Sequence, residues 1–559
     1  MADDPRLLQH VLGHVLLWEA RRMGRHFRRA LERAQAIQRR TLLEKLGRNA
    51  GSRYGRERSF ASIRSVDDFR RALPISSYAD VEPYIDQVRS GDVRALFGGR
   101  QKLYMFAMTS GTTSRPKYIP VTGDFLKEYR RGWMTWGIQA YLEHPAAFQG
   151  SMLQLVSAID DETSPSGLPC GAMSGLTAHM QRRALHRIYV LPPEAVRLKD
   201  TATKYYVALL LALARSTLVI ASANPSTLLG LSRALDERSD DLLRDLRDGR
   251  LSPSVDVPAE VRRAIDHRLR PDAERCRHLE SARSAAGGLF PRDAWTLPFI
   301  GCWKGGTLSL YLREFPRYFG DTPVRDIGLV ASEGRMTIPL SDQGSAGVLD
   351  IESQFFEFLP ARDGVRDGDQ VLLPHELQVG GEYFILLTNS AGLYRYDIGD
   401  VVRVTGFVGP SPLVEFLHKG AHYASLTGEK LAEHQVVEAV NQALAETGRT
   451  LTSYCLAPRW SETSPCYVLL VEEQDAGEAS AVGRLCARVD ELLRQANIEY
   501  NNKRVSGRLG PITAKVVPRG SWREFDLSTI VERRRGMEQY KHKFLVGDVE
   551  FEGRFPTVV

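Results

Sequence analysis

Cysteine is scarce in this 559-residue chain, and the little there is carries no pattern. The six residues, at 170, 276, 302, 455, 466 and 486, form no Cys-x-x-Cys pair and adjoin no histidine cluster. That argues against a zinc site and a disulfide framework, and makes reduced thiols in a reducing compartment the expectation. Long apolar runs are missing too. The longest, 205–214, is bounded by Lys204 and Arg215, well short of the ~20 residues a membrane span needs. No apolar signal core with a small-residue cleavage site stands at the N-terminus, so a soluble, cytoplasmic, monomeric protein without a membrane partner is expected. Low-complexity tracts, internal repeats, a Gly-x-Ser-x-Gly elbow and a His-Glu-x-x-His pair are all absent, which leaves hydrolase readings without support. The net charge is only +6, with arginine spread through helical stretches rather than gathered in one patch. Nucleic-acid binding is not expected.

What is present suits a large α/β protein. With 43% hydrophobic and 25% charged residues the chain can bury more than one core. Residues 7–46 read as one long helix, with apolar positions at Leu8, Val11, Leu12, Val15 and Leu16, then at Met23, Phe27, Ala30, Leu31, Ala34 and Ile37. From 20 to 48 it carries ten Arg or Lys against Glu32 and Glu44. Such a basic amphipathic helix suits an anionic membrane surface or a core-packed helix with a solvated arginine face. The second reading is adopted.

Helical and strand-like pieces alternate from 60 to 230, with strands expected at 103–108 and 218–223. Residues 236–285 read as a charged helical excursion at the surface. Strands then dominate from 295 to 410, at 297–300, 324–330, 355–359, 383–388 and 401–404. Pro410-Ser411-Pro412 breaks this pattern. A second block opens near 430, with helices at 436–447 and 479–496 and strands at 466–472 and 512–517. The expected fold is α/β: a large N-terminal domain of mixed sheets and helices over 1–424, a hinge, and a small α+β domain over 425–559.

One segment is chemically pointed. Thr109-Ser110-Gly111-Thr112-Thr113-Ser114-Arg115-Pro116-Lys117 puts hydroxyls and a glycine behind a strand, so backbone N–H and side-chain O–H groups can surround a phosphate. It is not a Walker A loop, which needs a second glycine directly before Lys-Ser/Thr. Read alone it is equally a Ser/Thr-rich surface loop.

The run, extended through Tyr118-Ile119-Pro120-Val121, resembles the loop of the adenylate-forming superfamily that includes firefly luciferase. More narrowly it is similar to the auxin-responsive acyl acid–amido synthetases, the plant Gretchen Hagen family, and their bacterial relatives. Asn49-Ala50-Gly51-Ser52-Arg53-Tyr54-Gly55 and Pro74-Ile75-Ser76-Ser77-Tyr78 also fall as in that family. The resemblance spans nearly the whole chain. It implies that Thr109, Ser110, Gly111, Thr112, Thr113 and Ser114 cradle the phosphates of ATP. Val330-Ala331-Ser332-Glu333 resembles the second motif, implying that Ala331 borders adenine, Ser332 meets phosphate and Glu333 is associated with Mg²⁺. On its own, Ser332-Glu333 would read as a helix N-cap with an acidic first turn.

Tyr394-Arg395-Tyr396-Asp397-Ile398-Gly399-Asp400 resembles the third motif with one extra residue before the glycine. By that match Asp400 accepts from both ribose hydroxyls, with Asp397 as the competing candidate. Phe355 stands where the family has tyrosine and is a candidate to stack on adenine. Thr427-Gly428-Glu429-Lys430-Leu431 matches the family's linker, implying that Lys430 reaches phosphate oxygens. Glu538-Gln539-Tyr540-Lys541 matches the start of its C-terminal motif but continues as His542-Lys543-Phe544. That makes Lys541 the implied catalytic lysine and Lys543 its rival, with a solvated surface lysine the plain alternative for either.

Residues 123–142 read as a helix bearing Phe125, Tyr129, Trp133, Trp136 and Tyr141, a core stripe or, by resemblance, a wall of the acyl pocket. Arg130 and Arg131 are candidates for holding the substrate carboxylate. The implied reaction activates a small carboxylic acid with ATP and Mg²⁺ as an acyl-adenylate, then transfers the acyl group to an amine such as an amino acid. Thioester formation with coenzyme A and a non-catalytic nucleotide-binding relative are the competing readings.

Overall fold

The computed structural model describes residues 5–558 except 100, 110–116, 157–161, 174, 177–187, 199, 363–364, 367–369, 420–422, 425, 428, 430, 462–463, 506, 508, 533–541 and 557. The N-terminal stretch is two helices rather than one. Pro5–Leu31 ends in a turn, and Ala34–Asn49 begins after Arg33, whose φ of −114° and ψ of 25° lie outside the helical well. Leu31, Ala34, Leu42 and Leu46 then enter the same core as the sheets.

Two sheets organise the body. One is parallel, in the order Ser151–Gln154, Thr217–Ala221, Phe299–Cys302, Val324–Asp326. Helix Thr201–Leu213, buried at every position from Lys204 onward, packs in the associated core. The segment expected as a surface excursion does not stand apart. Its helices Ser239–Asp248, Ala259–Asp266 and Ala273–Ala286 bury Leu242, Leu246, Ile265 and Leu279 in that core, while their charged faces meet water.

The second sheet is antiparallel: Thr337–Ile338, Gly347–Leu349, Ser411–Lys419, Tyr396–Val408, Glu382–Thr388, Phe355–Arg362, Val365–Arg366. Ser411–Lys419 corrects the expected break at Pro410-Ser411-Pro412. Pro412 is tolerated because it sits at the start of its strand, where a missing N–H does least harm. A smaller sheet places Lys117–Thr122 against Leu103–Thr109, and Leu103–Thr109 runs straight into the hydroxyl-rich loop.

Beyond residue 423 a separate core forms around Val436, Val440, Leu444, Leu456, Leu469 and Val489. Helix Glu433–Thr447 gives it one face through Val436, Val437, Val440, Ala443 and Leu444. The stripe 434, 438, 441 faces the body instead, and it is polar throughout. His434 stacks on His418 of the antiparallel sheet at 4.1 Å and 8°. Glu438 sits near Arg403, Glu382 and Glu415, and Asn441 Oδ1 accepts from Arg313 at 2.7 Å.

Candidate active site

Val330–Ala331 and Gly334–Arg335 pair as a tight hairpin whose turn is Ser332-Glu333. Gly334 has φ 144°, and a Cβ there would come within 2.3 Å of Gln354 Nε2, so glycine alone lets the strand return this closely. The turn is held from two directions. Asn389 Nδ2 donates to the Glu333 carbonyl at 2.8 Å. Ser332 Oγ donates to the Met108 carbonyl at 3.3 Å, beside the start of the hydroxyl-rich loop.

Asn389 is itself braced by a buried chain from distant segments. Lys45 Nζ, 3% exposed at its side chain, lies 2.9 Å from Glu128 Oε1 and 2.9 Å from Ser390 Oγ. Burial lowers the Lys45 ammonium despite the Glu128 carboxylate beside it. Asn389 Oδ1 accepts from the Ala391 and Leu393 amides, fixing the turn. Sequence reading missed Lys45, Glu128, Asn389 and Ser390, because nothing local pairs residues 83 to 345 positions apart.

The third motif closes the opposite side. Arg395 has φ 47°, unusual for a residue with a side chain, and is held by Glu357 at 3.0 Å and by the Leu73 carbonyl at 2.6 Å. Glu357 pairs also with Arg70 at 2.9 Å. Asp397 is occupied: it pairs with Arg366, and its Oδ1 accepts from the Gly399 amide at 2.7 Å. Gly399, at φ 76°, turns the chain so that Asp400 faces inward, 4% exposed. Burial raises the Tyr396 hydroxyl, with Glu333, Tyr78, Asp397 and Asp400 adding to the effect. Glu333 and Asp400, 67 residues apart in the chain, are therefore electrostatic neighbours of one phenol.

Other expected residues lie elsewhere. Phe355 is 1% exposed, its ring edge-on to Phe69 at 6.0 Å within the core, so it offers no open face in this conformation. Thr109 ends its strand opposite Lys117, while Ser110, Gly111, Thr112, Thr113 and Ser114 lie outside the described residues. Lys430 and Lys541 lie outside them as well. Their neighbours are well held. Glu429 accepts from the Leu426 and Thr427 amides at 2.6 and 2.8 Å. His542, the residue after Lys541, has Nδ1 3.0 Å from Asp526 and Nε2 3.0 Å from the Tyr454 carbonyl, and Lys543 points to solvent.

Helix Gly123–Glu143 lines up Phe125, Tyr129, Trp133 and Trp136 in successive ring contacts that end on Phe299 of the parallel sheet. Trp133 is half-buried, and the Arg335 guanidinium lies 4.1 Å from its ring centroid. Arg131 turns toward the body to donate to Ser353 at 3.1 Å. Among the described residues no three His, Cys, Asp or Glu side chains gather as a metal cage. A single inward Glu333 suits a Mg²⁺ that takes its remaining ligands from phosphate and water oxygens.

Family models give this arrangement a context. The GH3 family N-terminal domain matches residues 24–324, the central domain 347–419 and the C-terminal domain 434–550. The chain belongs to the GH3 family. It is 27% identical to indole-3-acetic acid-amido synthetase GH3.8 of Oryza sativa subsp. indica, over 90% of this chain and 87% of that one. To jasmonoyl–L-amino acid synthetase JAR4 of Nicotiana attenuata it is 24% identical, over 92% and 91%. Among solved structures, the acyl acid amido synthetase GH3.15 superposes with a TM-score of 0.82 at 22% identity, covering 95% of each chain. A 2-hydroxyisobutyryl-CoA ligase in its postadenylation state reaches 0.55 at 12% identity, over 94% and 91%, which places the GH3 chain in the adenylate-forming fold.

Proposed function

We propose that this chain is an AMP-forming ligase that adenylates a small carboxylic acid with ATP and passes the acyl group to an amine, giving an amide, AMP and pyrophosphate. The observation that carries the reading is the end-to-end match to acid-amido synthetases, joined to a group of carboxylates, Glu333, Asp397 and Asp400, near enough to Tyr396 to help hold its hydroxyl above the usual range. In this reading the acid's carboxylate attacks the α-phosphorus and pyrophosphate leaves. Asp400 accepts from the ribose hydroxyls, the Ala331–Glu333 turn borders adenine and phosphate, and the loop at 109–114 cradles the leaving pyrophosphate. Mg²⁺, held by Glu333, would neutralise charge on the phosphoryl oxygens. Lys541, with Lys430 at the linker, supplies cationic charge during adenylation.

The amine then attacks the mixed anhydride. Residues 1–424 act as the nucleotide- and acid-binding domain, and 425–559 as a mobile partner that changes position between the two halves. The polar 434–438–441 contact supports this, because an interface that lacks a large apolar area separates at low cost. The enzyme works in the cytoplasm as a monomer. A panel of aryl and aliphatic acids, followed by pyrophosphate exchange into ATP and by mass analysis of products with mixed amino acids, tests the proposal. Amides with AMP release are expected; an acyl-CoA formed faster than any amide would reassign the acceptor, and no exchange with any acid would end the enzyme reading.

A further inference from the structure

We infer that the outer face of the N-terminal helices is a docking surface for an anionic lipid membrane. In Pro5–Leu31 the positions Ala20, Phe27, Ala30 and Leu31 are buried against the body. Trp18, Arg21, Arg25, Arg28 and Arg29 recur at helical spacing on the opposite face and are exposed, as are Arg33 in the turn that follows and Arg39 on the next helix. Three further arginines here have carboxylate partners: Arg22 with Glu19, Arg40 with Glu44 and Arg48 with Asp124. Arg21, Arg25, Arg28, Arg29, Arg33 and Arg39 have no ion-pair partner among the described residues.

The charge is concentrated here. Between positions 18 and 48, ten Arg or Lys stand against three Glu, giving +7 in a chain whose net charge is +6, so all other residues together sum to −1. Arginines without an ion-pair partner among the described residues, such as Arg263 and Arg277, also stand on other helices, but six lie together within residues 21–39. Trp18 decides the kind of polyanion. Its side chain is 58% exposed at the N-terminal end of the arginine stripe, with the Arg22 guanidinium 5.9 Å from its ring centroid. An exposed indole beside guanidinium groups on a helix packed against the body suits a headgroup layer, where the ring leaves water while the cations meet lipid phosphates. A nucleic acid would call for a groove or several stacking aromatics, and among the described residues this face presents one exposed aromatic, Trp18.

The test uses the full-length protein and sedimentation with lipid vesicles, which requires no enzymatic turnover and is independent of the proposed reaction. The protein should sediment with vesicles of phosphatidylglycerol and phosphatidylcholine but not with phosphatidylcholine alone, and should be released as salt rises from about 0.1 to about 0.5 M. Arg25→Glu/Arg28→Glu/Arg29→Glu should lower partitioning by at least tenfold, since each arginine near an anionic surface contributes about fivefold. Trp18→Ala should lower it several-fold. Arg263→Glu/Arg277→Glu, exposed on other helices, should leave it unchanged, and all variants should keep the parent's thermal melting profile. Equal sedimentation with both vesicle types, sedimentation that the triple variant leaves intact, or binding to duplex DNA without binding to vesicles would each overturn the inference.

Discussion

The two large sheets differ in how much charge they bury. Around the parallel sheet the core is mainly apolar, with Leu209, Leu210 and Leu211 wholly buried on one helix, and buried charge on its strands is confined to Arg325 and Asp326. Around the antiparallel sheet the interior holds Lys45, Glu333, Arg335, Asp350, Glu357, Arg395 and Asp400, each 5% exposed or less. Burial pushes the Asp350 carboxyl up to about 6 and draws the Arg335 guanidinium down to about 10. Apolar packing of the first kind stabilises a fold in many equivalent ways. Buried charge costs desolvation free energy and tolerates few arrangements, so it accumulates where atoms must be held in place rather than merely covered. The candidate site lies in the second region.

The sharpest way to break that contrast is to damage each region once. Glu357→Leu strands the buried Arg395 without its carboxylate and should cost about 3–5 kcal/mol in urea unfolding. Leu210→Ala should cost a comparable about 2–5 kcal/mol through a cavity. The difference lies in rescue and binding. Glu357→Leu/Arg395→Met should regain most of the stability yet still bind ATP poorly by calorimetry, while Leu210→Ala should bind ATP normally once folded. Normal ATP binding by the double variant would mean the buried charges are only structural.

Next in size, Lys541→Ala should slow pyrophosphate exchange roughly a hundredfold, the scale of one lost transition-state contact. The same variant given pre-made acyl-adenylate should form amide at close to the normal rate. Exposed Lys543 serves as the neighbouring control, and equal slowing of both half-reactions would make Lys541 structural.

Asp400→Ala should weaken ATP binding at least tenfold, since two hydrogen bonds to a charged group contribute about 1.5–3 kcal/mol each. Asp397→Ala should do less, because Asp397 already serves Arg366 and the Gly399 amide. A reversed order would move the ribose contact to Asp397.

The smallest effect concerns the joint. Burial, with His418 and Arg403 nearby, pulls the His434 imidazole down to about 3. A histidine whose pKa falls on docking favours the docked arrangement while it would be neutral when free, above about 6.5. Docking should therefore weaken as pH falls below about 6.5 toward 3, by up to about 1.4 kcal/mol per unit. Hydrogen-exchange protection factors along Glu433–Thr447, taken relative to the intrinsic rate at each pH, should fall between pH 7.5 and 5.5, with His434→Asn flattening the response; pH-independent protection in the parent chain would discard the idea.

Much of the local architecture was legible in sequence because its signals are local. Cys466–Glu472 and Ala479–Ala496 carry unmixed periodicities and were placed to the residue. The break after Leu31 escaped because the apolar spacing continues through it, and Ser411–Lys419 escaped because Pro412 reads as a breaker except at a strand's first positions. At the candidate site, Glu333 and Asp400 stand out only through resemblance to motifs, and both, like the competing Asp397, lie near Tyr396. The brace of Lys45, Glu128, Ser390 and Asn389 was not, since each is an ordinary polar residue until the fold brings them together.

That brace sets a clock on the ribosome. Lys45 and Ser390 stand 345 positions apart, and at 5–20 residues per second the lysine emerges roughly 17–70 seconds before its hydroxyl partner exists. Glu128 is made early in that interval, so the ammonium can find its carboxylate long before its hydroxyl. The second helix is nevertheless among the first parts of the chain made and among the last to complete its seat, because Gln38 and Thr41 wait for the carbonyls of Ile351 and Gln354.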